Sequence, residues 1–255
     1  MKLKTKIGII LLICFAVFLF VFYQNPYSMN ETKVLHKPTL ENILGHDSLG
    51  RDVFSRLILG AFFSVIIAFT SVLMATICGI IIGCIAGYYG KISDFIVVQL
   101  TEVIIAIPSI LIALGVIVIL GTGFLSLIVA IFLMYLPRSI NLVRGLVKKE
   151  KHMEYVIAVR TYGISSFRVL FVHILINIKK EIWVNFSTSF AGAILTEAGL
   201  GYLGLGIQPP YPTLGNILSQ SQSYFLSAPW VTVSPGLAII FIVYFMNKLG
   251  KRTEG

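Results

Sequence analysis

Charge is what this chain has least of. Asp, Glu, Lys and Arg make up 12% of its 255 residues, against 57% hydrophobic, and the mean hydropathy is +0.91. An ordinary soluble domain carries about 25% charged and about 45–50% apolar residues. A globule of this length still leaves roughly a quarter of its chain surface in water, too much for such a composition. A soluble enzyme, a disordered tail and a nucleic-acid-binding domain are therefore poor fits, despite the net charge of +9. Cysteine is scarce too. Cys14, Cys78 and Cys84 fall inside apolar stretches without the spacing of a metal site, and they read as small packing residues. The histidines His36, His46, His152 and His173 are scattered. There is no His-Glu-x-x-His, no Gly-x-Ser-x-Gly and no phosphate-binding Gly-x-x-x-x-Gly-Lys-Ser/Thr loop. No catalytic residue, metal ligand or cofactor site is expected in this chain.

What is present is long apolar sequence. No Asp, Glu, Lys or Arg occurs over 7–30, 57–90, 103–137, 182–196 or 198–247. A spanning helix needs about 20 mostly apolar residues, and the runs divide into six spans, near 7–24, 58–86, 95–120, 124–145, 180–198 and 231–248. The expected class is an all-α polytopic membrane protein. It is organised as an N-terminal anchor (1–24, uncleaved because no small-x-small site follows), an outer segment (25–57) and a membrane domain (58–250). The stretch 199–230 carries Gly199, Gly201, Gly204, Gly206, Pro209, Pro210 and Pro212. It reads as an ordered apolar loop, because these residues break a lipid-facing helix.

Basic residues orient the chain. With the N-terminus cytoplasmic, 16 of the 20 Lys and Arg fall on the inner side, including Lys148, Lys149, Lys151, Arg160 and Arg168. This is the positive-inside bias; it places both termini in the cytoplasm and makes the charge a topology signal rather than a polyanion site.

The spans hold few groups able to do chemistry. Glu102 is the clearest ionisable residue within them, one or two turns before Pro108. An intramembrane carboxylate is costly and marks function by default; the plainer alternative is pairing with a neighbouring helix or subunit. Glu197 falls at the outer end of the fifth span, where water is expected. Pro108 frees a carbonyl and permits a kink. Between the fourth and fifth spans, in the segment 146–179, a short helix near Glu154–Gly163 offers Tyr155, Val156, Ile157, Val159 and Tyr162 to the cytosol. Gly163 suits the left-handed position that ends such a helix. Apolar anchors on a short cytosolic helix either lie on a membrane or dock in a partner's groove.

That segment resembles the coupling loop of ABC-importer permeases. Ala158 and Gly163 match its Glu-Ala-Ala-x-x-x-Gly pattern, with Ile157 and Val159 in place of the glutamate and second alanine. Four further stretches resemble the dipeptide/oligopeptide/nickel subfamily: 44–57 (Leu-Gly-His-Asp-Ser-Leu-Gly-Arg-Asp-Val-Phe-Ser-Arg-Leu), Ala86–Gly90 with Asp94, Ala106–Ser109, and Tyr202–Pro210 with Ser227–Trp230. Order and spacing fit the second permease of the heterodimer. The resemblance implies a type I importer permease with about six spans and a cytoplasmic coupling helix. It implies as partners a second permease, two ATPases that use ATP and Mg, an outer binding protein, and membrane lipid. Glu154, Tyr155, Ala158, Arg160 and Gly163 become candidates for ATPase coupling. Gly50, Arg51, Asp52, Gln208, Pro209 and Pro210 become candidates for the outer face or gate, and Glu102, Pro108 and Ser109 for the translocation path. Gly50–Asp52 also has a plainer reading as a helix cap with a charge pair. Short peptides are the first choice of solute, and nickel or a metal–chelator complex the alternative. A stand-alone secondary transporter is less favoured, because it would need more polar groups at mid-membrane.

Overall fold

The computed structural model describes residues 22–251, which are helical with no β-strand. Residues 7–21 of the expected first span lie outside that range. The helices are α1 (Val53–Tyr89), α2 (Lys91–Ala106), α3 (Ser109–Leu120), α4 (Phe124–Glu150), α5 (Glu154–Thr161), α6 (Ser166–Asn177), α7 (Lys179–Tyr202), α8 (Leu214–Ser221) and α9 (Pro229–Lys251). A π-helical turn over Val169–Ile174 interrupts α6.

α1 and α4 form the most extensive pair, and glycine is the reason. Gly79, Gly83 and Gly87 recur every fourth residue, so they line one face of α1. A Cβ on Gly83 would lie 2.9 Å from both the Arg144 nitrogen and the Ile140 oxygen, and one on Gly87 would lie 2.7 Å from the Arg144 oxygen. Ser71 and Ala75, fully buried, carry the same four-residue spacing toward the other end. Between apolar helices in lipid no hydrophobic force remains, and close van der Waals contact along small residues takes its place.

Among the described residues, α1, α4 and α9 are long and apolar enough to cross a membrane. The span expected over 95–120 is two helices, α2 and α3, bent by 91°. The break sits where proline chemistry puts it. Pro108 has no N–H to donate, and its ring pushes Ile107 out of the helical region to φ −83°, ψ 126°. α7 covers the fifth expected span but is not apolar enough to qualify by composition. It packs against α1, α4, α8 and α9 and buries Asn185, Ser187, Ser189 and Glu197. Most of its neighbours are protein, so it need not be oily all round.

The stretch 199–230 departs from the expected loop. Gly199 and Gly201 lie inside α7, and α8 follows, opened by a capping box between Thr213 and Asn216. Gly201, Gly206 and Gly215 permit close approach rather than breakage. A Cβ on Gly206 would sit 2.7 Å from the Gly201 Cα, and one on Gly215 would overlap the Ala198 carbonyl.

Two main apolar clusters result, beside a third, minor one of Val53, Ala228 and Val231 where α1 and α9 begin. The larger joins α1, α3, α4, α7, α8 and α9 around Ile67, Leu127, Ile131, Phe190 and Ile194. The smaller lies at the end where the Lys and Arg residues gather and joins Cys84 of α1, Val143 and Val147 of α4, Val156 of α5, and Val169, Leu170 and Ile174 of α6.

Gly83→Leu is expected to force α1 and α4 apart, at a cost of about 1–3 kcal/mol and probe-independent of any transport assay. Thermal unfolding in detergent should show a lowered midpoint, while Gly115→Ala, which meets nothing within 4 Å, leaves it near wild type.

Candidate functional site

α5 holds the coupling candidates and lies at the basic end. Its bounds match the helix expected there, but its faces do not match a fully displayed set of anchors. Val156 is completely buried in the smaller cluster, and Tyr155 and Val159 are packed half-buried against it. Outward remain Glu154, Ile157, Ala158 and Thr161, which by their spacing of three and four share one helical face. Beyond the helix end, Tyr162 is 86% exposed. Gly163 takes φ +75° with its N–H bonded to the Arg160 carbonyl at 3.0 Å, as the terminating position requires.

Cations and a phenol strap α5 to the spans. Lys151 Nζ donates to the Gly87 carbonyl at 3.1 Å, covering an unpaired oxygen at the end of α1. The Arg160 guanidinium stands 5.9 Å from the Tyr88 ring centroid, within cation–π reach. Arg160, expected to meet an ATPase, is thereby also engaged with α1. Tyr155 donates its hydroxyl to Glu150; burial, with that carboxylate beside it, holds the phenol above its ordinary range. Asp94, in the first turn of α2, pairs with Arg144 and, at 2.8 Å, with Lys148. α5 and the ends of α1, α2, α4 and α6 are therefore joined in one node.

The path candidates are less gathered. Glu102, Pro108 and Ser109 are all exposed along α2 and at the bend. Glu102 has no ion-pair partner within 4 Å among the described residues, because Arg144, the cation its charge reaches, is taken by Asp94. Its neighbour Thr101 is the residue turned inward, with its hydroxyl 3.3 Å from Asn141 Oδ1. Glu197, expected near water, is completely buried. Neither carboxylate oxygen has a partner in hydrogen-bond geometry, and the hydroxyls of Ser64 and Thr213 are the polar groups that reach it.

At the opposite end, Gly50, Arg51 and Asp52 lie beneath the surface. A Cβ on Gly50, at φ +67°, would overlap the Asn30 carbonyl. Arg51 pairs with Asp47 at 2.7 Å and donates to Gln220 at 3.2 Å, which fastens this segment to α8. Asp52 accepts from the Ser55 N–H at 2.8 Å as the N-cap of α1. The charge pair and the cap of the plainer reading are thus both present. Gln208, Pro209 and Pro210 are exposed. The glycine seam and the Lys151–Gly87 strap were missed in sequence; the four-residue spacing of Gly79, Gly83 and Gly87 was the available signal.

Two outcomes follow for this node and segment. Val156→Asp places an unpaired charge in the smaller cluster and should release α5, seen as faster limited proteolysis within 151–166 with the spans intact. His46 is 95% buried with Nδ1 unpartnered; burial foremost, then Lys33, holds its imidazole below the ordinary 6.5 against the opposing pull of Asp52 and Asp47. The unfolded segment then binds the proton more readily, so the contribution is whole above about pH 6.5 and is lost as pH falls through the lowered value. Proteolysis of 25–52 should accelerate on acidification, and less so in His46→Gln.

Residues 79–252 match the family described as the binding-protein-dependent transport system inner membrane component. The chain is 36% identical over 254 residues to the dipeptide transport system permease protein DppC of Alkalihalophilus pseudofirmus, covering 97% of this chain and 84% of that one. It is 39% identical over 208 residues to the di/tripeptide permease protein DppC of Pseudomonas aeruginosa, covering 82% and 69%. Against the glutathione permease protein GsiD of Pectobacterium atrosepticum it is 35% identical over 247 residues, covering 95% and 82%. Its fold is like that of the inward-facing MetNI methionine ABC transporter, with a TM-score of 0.63 at 18% identity over 77% of this chain and 93% of that one. With a packed helical domain and a short helix displayed beyond its basic end, the chain belongs to the inner membrane permease subunits of binding-protein-dependent ABC importers.

Proposed function

We propose that this chain is the second of two non-identical permeases in an ATP-driven importer of short peptides, with its basic end in the cytoplasm. The carrying observation is α5, held on its inner side by Val156 and displaying Glu154, Ile157, Ala158 and Thr161 on the other. Such a face suits the cleft of a cytoplasmic ATPase. Two ATPases bind and hydrolyse ATP with Mg, and this chain supplies no catalytic group. As they close over ATP they draw α5 with them. Because α5 shares a packed cluster and polar straps with α1, α4 and α6, the pull reaches the spans rather than bending a loop. ATP needs only to favour the outward-open arrangement over the inward-open one; near-complete switching takes about 5.5 kcal/mol of difference. A binding protein delivers the solute at the far end, where Gln208, Pro209 and Pro210 are exposed.

The peptide assignment is supported by relatives whose names specify dipeptides, di/tripeptides and glutathione. Nickel or a metal–chelator complex would use the same machinery but has no such support here.

Reconstituted with its partner permease, ATPases and binding protein, the chain should give ATP-dependent uptake of labelled dialanine. Gly163→Val should lower uptake about tenfold with membrane insertion unchanged. Its φ of +75° disfavours a β-branched residue, although no atom lies within 4 Å to clash. Gly163→Asn, which tolerates that conformation, should retain most of it. Normal uptake by Gly163→Val would remove the docking role of α5, and ion-driven uptake by this chain alone would replace the importer with a secondary carrier.

A further inference from the structure

A groove between α4 and α7 has no role in the coupling described above. It is lined by Arg138, Leu142, Lys180, Glu181, Asn185 and Thr188, among others. Arg138 stands fourteen residues into α4, about 21 Å along the helix and within the roughly 30 Å of a hydrocarbon core. The four ion pairs among the described residues all lie elsewhere, so Arg138, Lys180 and Glu181 have no opposite charge within 4 Å. Asn185 is fixed from behind, its Nδ2 donating to Ser139 Oγ at 3.4 Å. An unpaired charge at the depth of Arg138 is costly against lipid and persists where it faces a water-filled path or a charged ligand; Lys180 and Glu181, in the first turn of α7, extend the charged lining toward the basic end.

Resting on the importer reading, we propose that this groove is a solute subsite for the charged termini of a short peptide. Two cations and one anion along a single groove complement a zwitterion. Arg138 presents a planar fork to the terminal carboxylate, with Lys180 adding charge, and Glu181 accepts from the terminal ammonium. Asn185 and Thr188 supply hydrogen bonds for the peptide amide. Leu142 offers only apolar surface, so the groove reads termini and backbone rather than side-chain identity.

The test uses the complete importer in proteoliposomes, with dialanine as the probe. Thr188→Cys should react with a positively charged methanethiosulfonate reagent, located by mass spectrometry, and dialanine should slow that reaction at least about threefold. Ile240→Cys, on the exposed apolar face of α9, serves as the lipid-facing control and should not react. Arg138→Gln should cut uptake about tenfold and raise the dialanine concentration for half-maximal uptake, with partial recovery in Arg138→Lys. If the wild type transports but Thr188→Cys stays unreactive in every nucleotide state, lipid or the second permease covers the groove and the subsite is overturned. Reaction without protection, together with normal uptake by Arg138→Gln, overturns it as well. Protection of Thr188→Cys, with a wild type that fails to transport dialanine, supports the subsite and overturns the importer reading instead.

Discussion

The close approach of α1 and α4 along Gly79, Gly83 and Gly87 is the constraint on which the rest depends. Because those positions carry no Cβ, backbone meets backbone at Ile140 and Arg144. That brings the end of α1 beside the last turns of α4, where Lys151 covers the Gly87 carbonyl and Tyr88 meets Arg160. Spread the pair by the width of one methyl group and these contacts lengthen together. The displayed helix α5 would then sit on a loose support, and motion at α5 would no longer be motion of the spans.

Solvent reverses the usual distribution of side chains. Exposed positions on α9 are Leu237, Ile240, Phe241, Tyr244 and Phe245, whereas the shielded α7 buries Asn185, Ser187, Ser189 and Glu197. In lipid an apolar face needs no cover, while polar groups need either partners or a path. The charged node of Asp94, Arg144 and Lys148 is of the partnered kind. The α4–α7 groove is of the unpartnered kind, and the contrast is why it stands out.

Local chemistry was legible wherever it acts within a few residues. Gly163 terminates α5, Pro108 breaks the third span, and Asp52 caps α1, each because of a property of its own backbone or side chain. Facing was not legible. Val156 and Ile157 are adjacent and equally apolar, yet one is fully buried and the other 55% exposed; only the position of Val143, Val147 and Ile174 separates them. Glu197 was misjudged for the same reason, since its place near a helix end suggested water until α8 was folded over it. Gly199 and Gly201 read as helix breakers, but both lie within α7, and Gly201 lets α8 and the returning chain lie against it.

Amino-acid order alone determined the solvent, the number of long apolar stretches and the site of the short helix α5, because hydropathy, charge and backbone restriction are properties of single residues and their near neighbours. Which side of each helix meets protein, which glycine admits another backbone, and which charges are left unpaired were decided by tertiary structure. Those depend on distances between residues 40 to 150 positions apart, as with Thr101 and Asn141 or Ser64 and Leu214, and no local pattern encodes such distances.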